Sequence, residues 1–213
     1  MGKLPRSFYR RRTLEVAIGL LGCQIVSRTD GIKTGGMIIE TEAYIGESDP
    51  ACHAFAGRTR RNEVMYGGAG FLYVYFTYGN HYMLNVVTEK SGFPAAVLLR
   101  AVEPLFNVDV MAKRRKTAEF TNISSGPGKL AKALAIERTQ NGTDLCGTEI
   151  YISGPANKRA KILSSIRIGI GEKGNDKLWR FFVADNQHVS SPNRNVRETI
   201  VDLKSAQRIN FSL

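Results

Sequence analysis

The feature that most constrains the fold is a pair of apolar runs, residues 71–78 and 82–88, separated by only Gly79-Asn80-His81. Parallel strands need a crossover of a dozen or more residues, whereas antiparallel strands can be joined by a short turn. The two runs therefore predict a β-hairpin. The same pattern occurs earlier, where Thr29-Asp30-Gly31 separates residues 24–28 from a strand that reaches Tyr44, so much of the sheet should be antiparallel.

The rest of the chain predicts further strands and a few short helices. Strands are predicted at residues 95–102, 149–153, 165–170 and 179–184, and helices after Thr13, at 107–116 and from Ser124-Ser125-Gly126-Pro127. Residues 49–70, rich in glycine, arginine and small residues, predict a long loop, and loops of that length are usually functional. We therefore predict one mixed α/β domain over residues 1–213, with a curved, largely antiparallel sheet flanked by helices, a protruding hairpin and a loosely held polar tail from about residue 190.

The charge of the chain favours a polyanionic partner. Lysine and arginine number 30 against 19 acidic residues, a formal net charge of +11. Such a surplus is typical of proteins that bind nucleic acid, although a merely soluble basic protein is the alternative.

Cysteine and histidine usage argues against a disulfide framework and a metal site. Cys23, Cys52 and Cys146 are far apart and odd in number, no CxxC pair occurs, and the histidines are not at ligand spacing. No apolar run approaches the roughly 18 residues of a membrane-spanning helix, and the basic N-terminus carries no secretory pattern. We expect an intracellular protein without metal, cofactor or membrane span.

A carboxylate among flat side chains is the most informative chemical pattern. Glu42 and Tyr44 lie two apart near the end of a predicted strand, so their side chains share a face. Tyr73 and Tyr75 share a face of the second hairpin in the same way. One carboxylate beside stacking rings suits an enzyme that holds a planar base and activates water against it. A solvated glutamate and core tyrosines are the alternative.

Three further residues extend this pattern. Arg100 closes an apolar strand and, if buried, needs an anionic partner, for which Glu42 is a candidate. Tyr78, directly before Gly79 at the hairpin tip, suits a wedge inserted between base pairs, or else packs on its own hairpin. His53, in the long loop, could contact a base or be an ordinary surface histidine.

Basic residues supply candidate phosphate contacts. Gly126-Pro127-Gly128-Lys129 could present free amides and Lys129 to an anion, although it lacks the spacing of a Walker loop and ordinary helix entry is the alternative. Arg58, Arg60, Arg61 and the run Lys113-Arg114-Arg115-Lys116 are further candidates, each of which alone is usually a solvated charge.

Taken together, the chain resembles the alkyladenine (3-methyladenine) DNA glycosylase family of base-excision repair. The resemblance extends from the helix at Leu14 to about Ala184. The matching segments, in family order, are Glu40-Thr41-Glu42-Ala43-Tyr44, His53, Arg61-Asn62, Leu72-Tyr73-Val74-Tyr75, Tyr78-Gly79, Asn85, Leu98-Leu99-Arg100-Ala101, Glu103-Pro104, Ser125-Gly126-Pro127, Lys129-Leu130 and Arg167-Ile168-Gly169.

The resemblance implies a role for several of these residues. It implies that Glu42 is the general base, and that Arg100 and the backbone carbonyl of Ile168 help to hold the attacking water. It implies that Tyr44, His53 and Tyr75 sandwich the flipped base and that Asn85 hinders some normal purines. It also implies that Tyr78, which precedes Gly79, fills the gap left in the duplex.

The implied activity is hydrolysis of the N-glycosidic bond of alkylated purines such as 3-methyladenine. The partner would be duplex DNA containing damaged bases. The protein would act as a monomer, and it would be located at the DNA inside the cell. No lysine occupies the position of a sugar-attacking nucleophile, so we expect simple hydrolysis without strand cleavage.

Two other classes of function stay open. A catalytically silent nucleic-acid-binding module would use the same fold and charge, but it would not need a buried carboxylate facing a polyanion. A hydrolase of free nucleosides would need neither the net charge of +11 nor an exposed wedge. The preference among 3-methyladenine, 7-methylguanine, hypoxanthine and ethenoadenine is not fixed by the sequence.

Overall fold

The computed structural model describes residues 2–77, 79–154, 161–172, 174, 176–190 and 196–197. The α-helices within them are Arg6–Tyr9 (α1), Thr13–Gly19 (α2), Val108–Arg115 (α3) and Pro127–Ala133 (α4). The strands are Gln24–Ser27 (β1), Thr34–Ile45 (β2), Leu72–Thr77 (β3), His81–Val87 (β4), Ala95–Phe106 (β5), Ile150–Ser153 (β6), Ile162–Ser165 (β7), Arg180–Val183 (β8) and Val196–Arg197 (β9). Of these helices, none is both long and apolar enough to span a bilayer.

The strands described form one antiparallel sheet. Its main order is β3-β4-β5-β2-β8-β7-β9, and β1 and β6 branch from β2 in the order β2-β1-β6. Every strand pairing in this part of the chain is antiparallel. The predicted mixed α/β fold with a curved, largely antiparallel sheet is confirmed, as are the hairpins β1–β2 and β3–β4.

Strand β2 is shared by two branches of the sheet. Along one edge it pairs with β1 through residues 34–37 and with β8 through residues 40–42, while β5 follows its other edge. Two glycines make the close approach at the start of β2 possible. A Cβ atom on Gly35 would lie 2.1 Å from the carbonyl oxygen of Ile25, and one on Gly36 would lie 2.0 Å from that of Glu103.

Two compensating β-bulges occur in the middle of the β2–β5 ladder. The register passes from Ile38 opposite Val102 to Glu40 opposite Ala101, so Ile39 is the extra residue on β2. It then passes to Thr41 opposite Leu99, so Arg100 is the extra residue on β5. A bulge re-aims side chains because it shifts the alternation of faces by one residue.

The shift in alternation gives the sheet an apolar face and a polar face. Ile38 and Ala43 both belong to the main core, as do Val102 and Leu99, although strict alternation would separate the members of each pair. The hydroxyl of Thr41 donates to the carbonyl of Ala17 in α2 at 3.0 Å. Beyond the bulges, the intervening side chains of β2 and β5 therefore point away from the main core.

A smaller core lies on the side of the sheet opposite α2 and fixes the long loop. Its buried members are Cys52, Ala54, Met65, Tyr73, Val87 and Ala96, with Tyr44, Val64, Tyr66 and Tyr75 packed against them. This cluster joins residues 49–70 to the strands β2–β5, and it places the loop next to their polar residues.

Two strand predictions are wrong in their bounds. Strand β5 does not end at Glu103-Pro104 but continues to Phe106. Proline is tolerated there because β5 pairs with β4 only through residues 96–98 and a further register irregularity occurs opposite Gly36. The strand predicted at 165–170 lies instead at Ile162–Ser165, because the chain leaves the sheet where Arg167 turns towards Asp49. Of the tail predicted from about residue 190, only residues 190 and 196–197 are among those that the structure describes.

Candidate active site

A cavity of about 540 Å³ opens on the polar face of the sheet. Strands β2 to β5, the loop 49–70, the start of α4 and residues 168–170 enclose it. Six of the residues to which the family resemblance gives a role line it, namely Tyr44, His53, Tyr75, Asn85, Arg100 and Ile168. The strands and the loop therefore bring together side chains that are far apart in the chain.

Glu42 lies directly behind the wall of this cavity and is fully buried. Its Oε2 accepts a hydrogen bond from the hydroxyl of Tyr44 at 2.8 Å and lies 3.3 Å from Nη1 of Arg100. Its Oε1 accepts a hydrogen bond from the backbone amide of Ile168 at 2.7 Å. The ion pair that the sequence predicted between Arg100 and Glu42 is thus present. All three donors line the cavity, so the carboxylate is one contact away from anything bound there.

A second buried glutamate, Glu40, was missed as a candidate in the sequence. Its carboxylate accepts hydrogen bonds from Nε of Arg100 at 2.9 Å and Nε of Arg180 at 2.7 Å. It also accepts bonds from the amide and hydroxyl of Ser190 at 2.7 and 2.9 Å. Burial acts to raise the pKa of Glu40, but these donors outweigh it and hold the pKa below its usual value. The Glu40-Thr41-Glu42 alternation was the available signal, because it places two acids on one face of an otherwise buried strand.

The cavity has an aromatic wall built by β3 and the long loop. The rings of His53 and Tyr75 lie 4.4 Å apart between centroids at 72°, and those of Tyr73 and Tyr75 lie 5.4 Å apart at 34°. Nδ1 of His53 and the hydroxyl of Tyr73 are 2.9 Å apart, a hydrogen bond. His53 is partly exposed at the cavity mouth, but its ring packs against those of Tyr73 and Tyr75. Enclosure of its ring by these neighbours, and then the charge of Arg61, lower the pKa of His53 to about 4, so the imidazole is neutral at neutral pH.

Asn62 and Asn85 fix the surroundings of this wall. The side-chain amide of Asn62 donates to the carbonyl oxygens of His53 and Gly57, both at 2.9 Å, and so closes the loop that carries His53. Asn85 is buried in the cavity and donates to the carbonyl oxygen of Tyr73 at 3.2 Å. Both residues belong to motifs of the family resemblance, but only Asn85 was singled out in the sequence.

A buried ion pair between Arg167 and Asp49 anchors the other side of the cavity. The guanidinium donates to both carboxylate oxygens, at 2.6 and 2.8 Å, and to the carbonyl oxygen of Ala43 at 2.8 Å. It also lies 4.7 Å from the ring centroid of Tyr44. This pair ties the beginning of the long loop to β2. Sequence reasoning missed it because the partners are 118 residues apart.

Of the predicted DNA contacts, one lies outside the described residues and the others are exposed or half-buried. Tyr78 is outside the described residues, while Gly79 is exposed in the turn with a φ of 71°. The guanidinium of Arg61 is 5.2 Å from the ring centroid of Tyr75 and donates to the carbonyl oxygen of Phe76 at 3.3 Å. Arg58 forms an exposed ion pair with Glu63, and Lys129 donates to Asn122.

Among the described residues, no group of three histidine, cysteine, aspartate or glutamate side chains could hold a metal ion. The described site itself offers a buried carboxylate, Glu42, next to an arginine, Arg100, in the wall of an aromatic cavity.

Comparison with known proteins identifies the relatives of this chain. The family model described as methylpurine-DNA glycosylase matches residues 7–187. A protein of Methanocella arvoryzae is 49% identical over 195 residues, which cover 89% of this chain and 96% of the relative. A protein of Desulfitobacterium hafniense is 43% identical over 201 residues, covering 89% and 99%. Both relatives carry the name "Putative 3-methyladenine DNA glycosylase".

Proposed function

The chain belongs to the methylpurine-DNA glycosylase family, and from this premise we propose that it excises alkylated purines such as 3-methyladenine from duplex DNA. The observation that carries the proposal is the position of Glu42, a buried carboxylate whose every described donor is also part of the cavity wall. The partner is duplex DNA with a damaged base, bound by a monomer, and the reaction invokes no metal or cofactor.

In this proposal the damaged base is flipped out of the helix into the cavity. A base inside a duplex is unreachable, and extrusion costs a few kcal/mol. Stacking on Tyr44, His53 and Tyr75 offsets this cost by roughly 1–3 kcal/mol per base. Alkylation at N3 or N7 makes the purine a cation, which electron-rich rings attract and a neutral His53 does not repel. Asn85, on the cavity wall, would obstruct some undamaged purines.

The proposed chemistry is hydrolysis with Glu42 as general base. Glu42 takes a proton from a water held by Arg100 and the backbone at Ile168. The oxygen of that water forms a bond to C1′ of the sugar as the C1′–N bond breaks, and the bonding electrons leave with the purine. The negative charge of Glu42 also stabilises the oxocarbenium character that develops on the sugar. The positively charged purine leaves as a neutral base, so it needs no protonation.

DNA binding is assigned to the hairpin and to surrounding cations. We propose that Tyr78 fills the gap left by the flipped base, held at the tip by Gly79, whose positive φ suits the turn. Arg58, Arg61 and Lys129 would contact phosphates. Arg58 and Lys129 would exchange their protein partners, Glu63 and Asn122, for the DNA backbone.

The test is single-turnover excision by Glu42→Gln, which keeps the shape of the side chain but removes the base. We expect excision from methylated duplex DNA to fall by roughly a hundredfold or more while binding to the lesion survives. The matched control is Glu47→Gln, because Glu47 is exposed and bonds to Tyr66 at 2.9 Å rather than to any part of the cavity wall. Near-normal excision by Glu42→Gln would refute the assignment. Normal DNA binding with no excision by the wild-type protein would favour the non-catalytic binding module.

A further inference from the structure

Four buried charges form one group on the polar face of the sheet. They are Glu40 and Glu42 of β2, Arg100 of β5 and Arg180 of β8, and none of their side chains is more than 8% exposed. Two carboxylates and two guanidinium groups make the group formally neutral. Neutrality matters here because an unbalanced charge is very unfavourable when it is removed from water.

The guanidinium group of Arg100 interacts more closely with one of the two carboxylates than with the other. Its Nε lies 2.9 Å from Oε1 of Glu40, whereas its Nη1 lies 3.3 Å from Oε2 of Glu42. Glu40 has a second cation, since Nε of Arg180 lies 2.7 Å from the same Oε1. The other donors to Glu42 are the neutral hydroxyl of Tyr44 and the amide of Ile168. Glu42 therefore shares one cation with a competitor, while Glu40 contacts two.

This division has a chemical consequence for a general base. A cation that interacts with one carboxylate alone makes it a weaker base, and removing the cation altogether leaves a buried carboxylate that tends to take up a proton. The negative charge of Glu40, on the far side of Arg100, cancels part of the positive electrostatic potential that Arg100 produces at Glu42. We propose that Glu40 is a positioning and charge-balancing residue that shares Arg100 with Glu42 and so keeps Glu42 basic enough to deprotonate water. The inference rests on the proposed role of Glu42.

Few other charged or titratable groups face Glu42 in the described structure. Tyr44 of β2 contacts it, Arg180 of β8 is opposite it in the strand register, and Arg167 is nearby but is already paired with Asp49. Among the described residues, Glu40 is the acidic neighbour whose cation, Arg100, also contacts Glu42 directly, whereas Arg167 acts on Glu42 only at longer range.

The first measurement is the pH dependence of single-turnover excision by Glu40→Gln, with methylated duplex DNA as substrate. Because an alkylated purine is already charged, protonation of the leaving group does not shape the acidic limb, which leaves Glu42 and His53 as the groups that can. Since Glu40→Gln leaves the neighbours of His53, namely Tyr73, Tyr75 and Arg61, in place, a displacement of the limb in this variant reports Glu42. With Glu40 neutral, Arg100 acts on Glu42 alone. We expect the acidic limb to move to lower pH by about one unit, and the rate on the plateau to fall several-fold because the base is weaker. If Glu40 were merely structural, the rate would fall at every pH and the limb would stay in place.

Substitution of Arg180 provides one variant with the opposite expected shift of the acidic limb and, combined with Glu40→Gln, a second variant in which the two shifts compensate. Arg180→Gln removes a cation from the group, so Arg100 is drawn more strongly to Glu40 and the acidic limb should move to higher pH. The double variant Glu40→Gln/Arg180→Gln restores neutrality, and its limb should return to within about 0.3 units of the wild-type position. Should Glu40→Gln fail to fold by circular dichroism, Arg180→Gln alone still decides the question by the sign of its shift.

The results separate this inference from the proposed function. A limb that does not move in Glu40→Gln or Arg180→Gln, or a double variant that keeps the shift of one single variant, overturns charge sharing and leaves Glu42 as the base. Full activity of Glu42→Gln would instead remove the premise and the proposed function together.

Discussion

His53 lies at the cavity mouth, where its protonation state decides whether a cationic purine is met by a neutral ring or by a second cation. Its pKa of about 4 results first from enclosure of the ring and then from Arg61. The shift below the ordinary histidine pKa of 6.5 favours the neutral form, so lowering the pH towards 4 restores the charge. We therefore expect a histidine titration, followed by NMR of the imidazole protons, with a midpoint clearly below 6.5.

Arg61→Gln tests the electrostatic part of this shift. Removal of the cation favours protonation, so the midpoint of His53 should move up towards the usual histidine value. Arg58→Gln is the control, since Arg58 is paired with Glu63 and does not contribute to the shift of His53. An unchanged midpoint in Arg61→Gln would mean that enclosure alone sets the protonation state.

At the scale of residues, the sequence identifies the side chains that face the cavity better than those that support them. Glu42, Tyr44 and Tyr75 could be predicted because alternation along a strand is a local rule. Arg180 and Arg167 could not, because their partners Glu40 and Asp49 are 140 and 118 residues away along the chain. Which buried charges pair depends on strand order, and an alternating pattern carries no information about that order.

Strand β2 depends on the absence of side chains at Gly35 and Gly36, near its beginning. A Cβ atom on Gly36 would lie 2.0 Å from a backbone carbonyl oxygen on β5, and a backbone atom within a ladder cannot move aside cheaply. We expect Gly36→Ala to lower the free energy of unfolding, measured with urea, by about 1–3 kcal/mol or more. Gly2→Ala, where a Cβ would have nothing within 4 Å, should have almost no effect. Equal stability of the two variants would mean that β2 and β5 can separate at this end.

At the scale of elements, the hairpins were predictable and the bulges were not. Short turns such as Thr29-Asp30-Gly31 determine the antiparallel pairing of their own flanking strands. The extra residues Ile39 and Arg100 arise only when β2 meets β5, and neither has a local signature. The predicted end of β5 at Pro104 was wrong for the same reason, since a proline ends a strand only where its missing N–H is needed by a neighbour.

The whole molecule carries a net charge of +11, but part of its basic content is not available to DNA. Arg100, Arg167 and Arg180 are buried in ion pairs. The remaining surface cations should still release counterions from a duplex. With three or more phosphates contacted, the logarithm of the affinity for undamaged duplex DNA should fall with the logarithm of the salt concentration with a slope of about −2.7 or steeper.

Substitutions that each remove one positive charge locate the surface that contacts the DNA phosphates. Arg61→Gln and Lys129→Gln should each make the slope shallower by about 0.9 if each cation meets one phosphate. Lys3→Gln is the control, because Lys3 bridges to β6 on the branch of the sheet remote from the cavity. Affinity that hardly depends on salt would show that the basic surplus is not a DNA-binding surface.

The paired bulges of β2 and β5 also determine how this chain can change in length during evolution. Loss of the single codon for Ile39 would remove the extra residue of β2 and restore strict alternation, so Glu42 would still face the cavity and Ala43 the main core. Loss of the codon for Thr41 would instead slip the rest of β2 by one residue and turn Glu42 towards the main core beneath α2. An in-frame deletion that the strand absorbs at one codon is therefore, two codons later, equivalent to exchanging the two faces of the sheet.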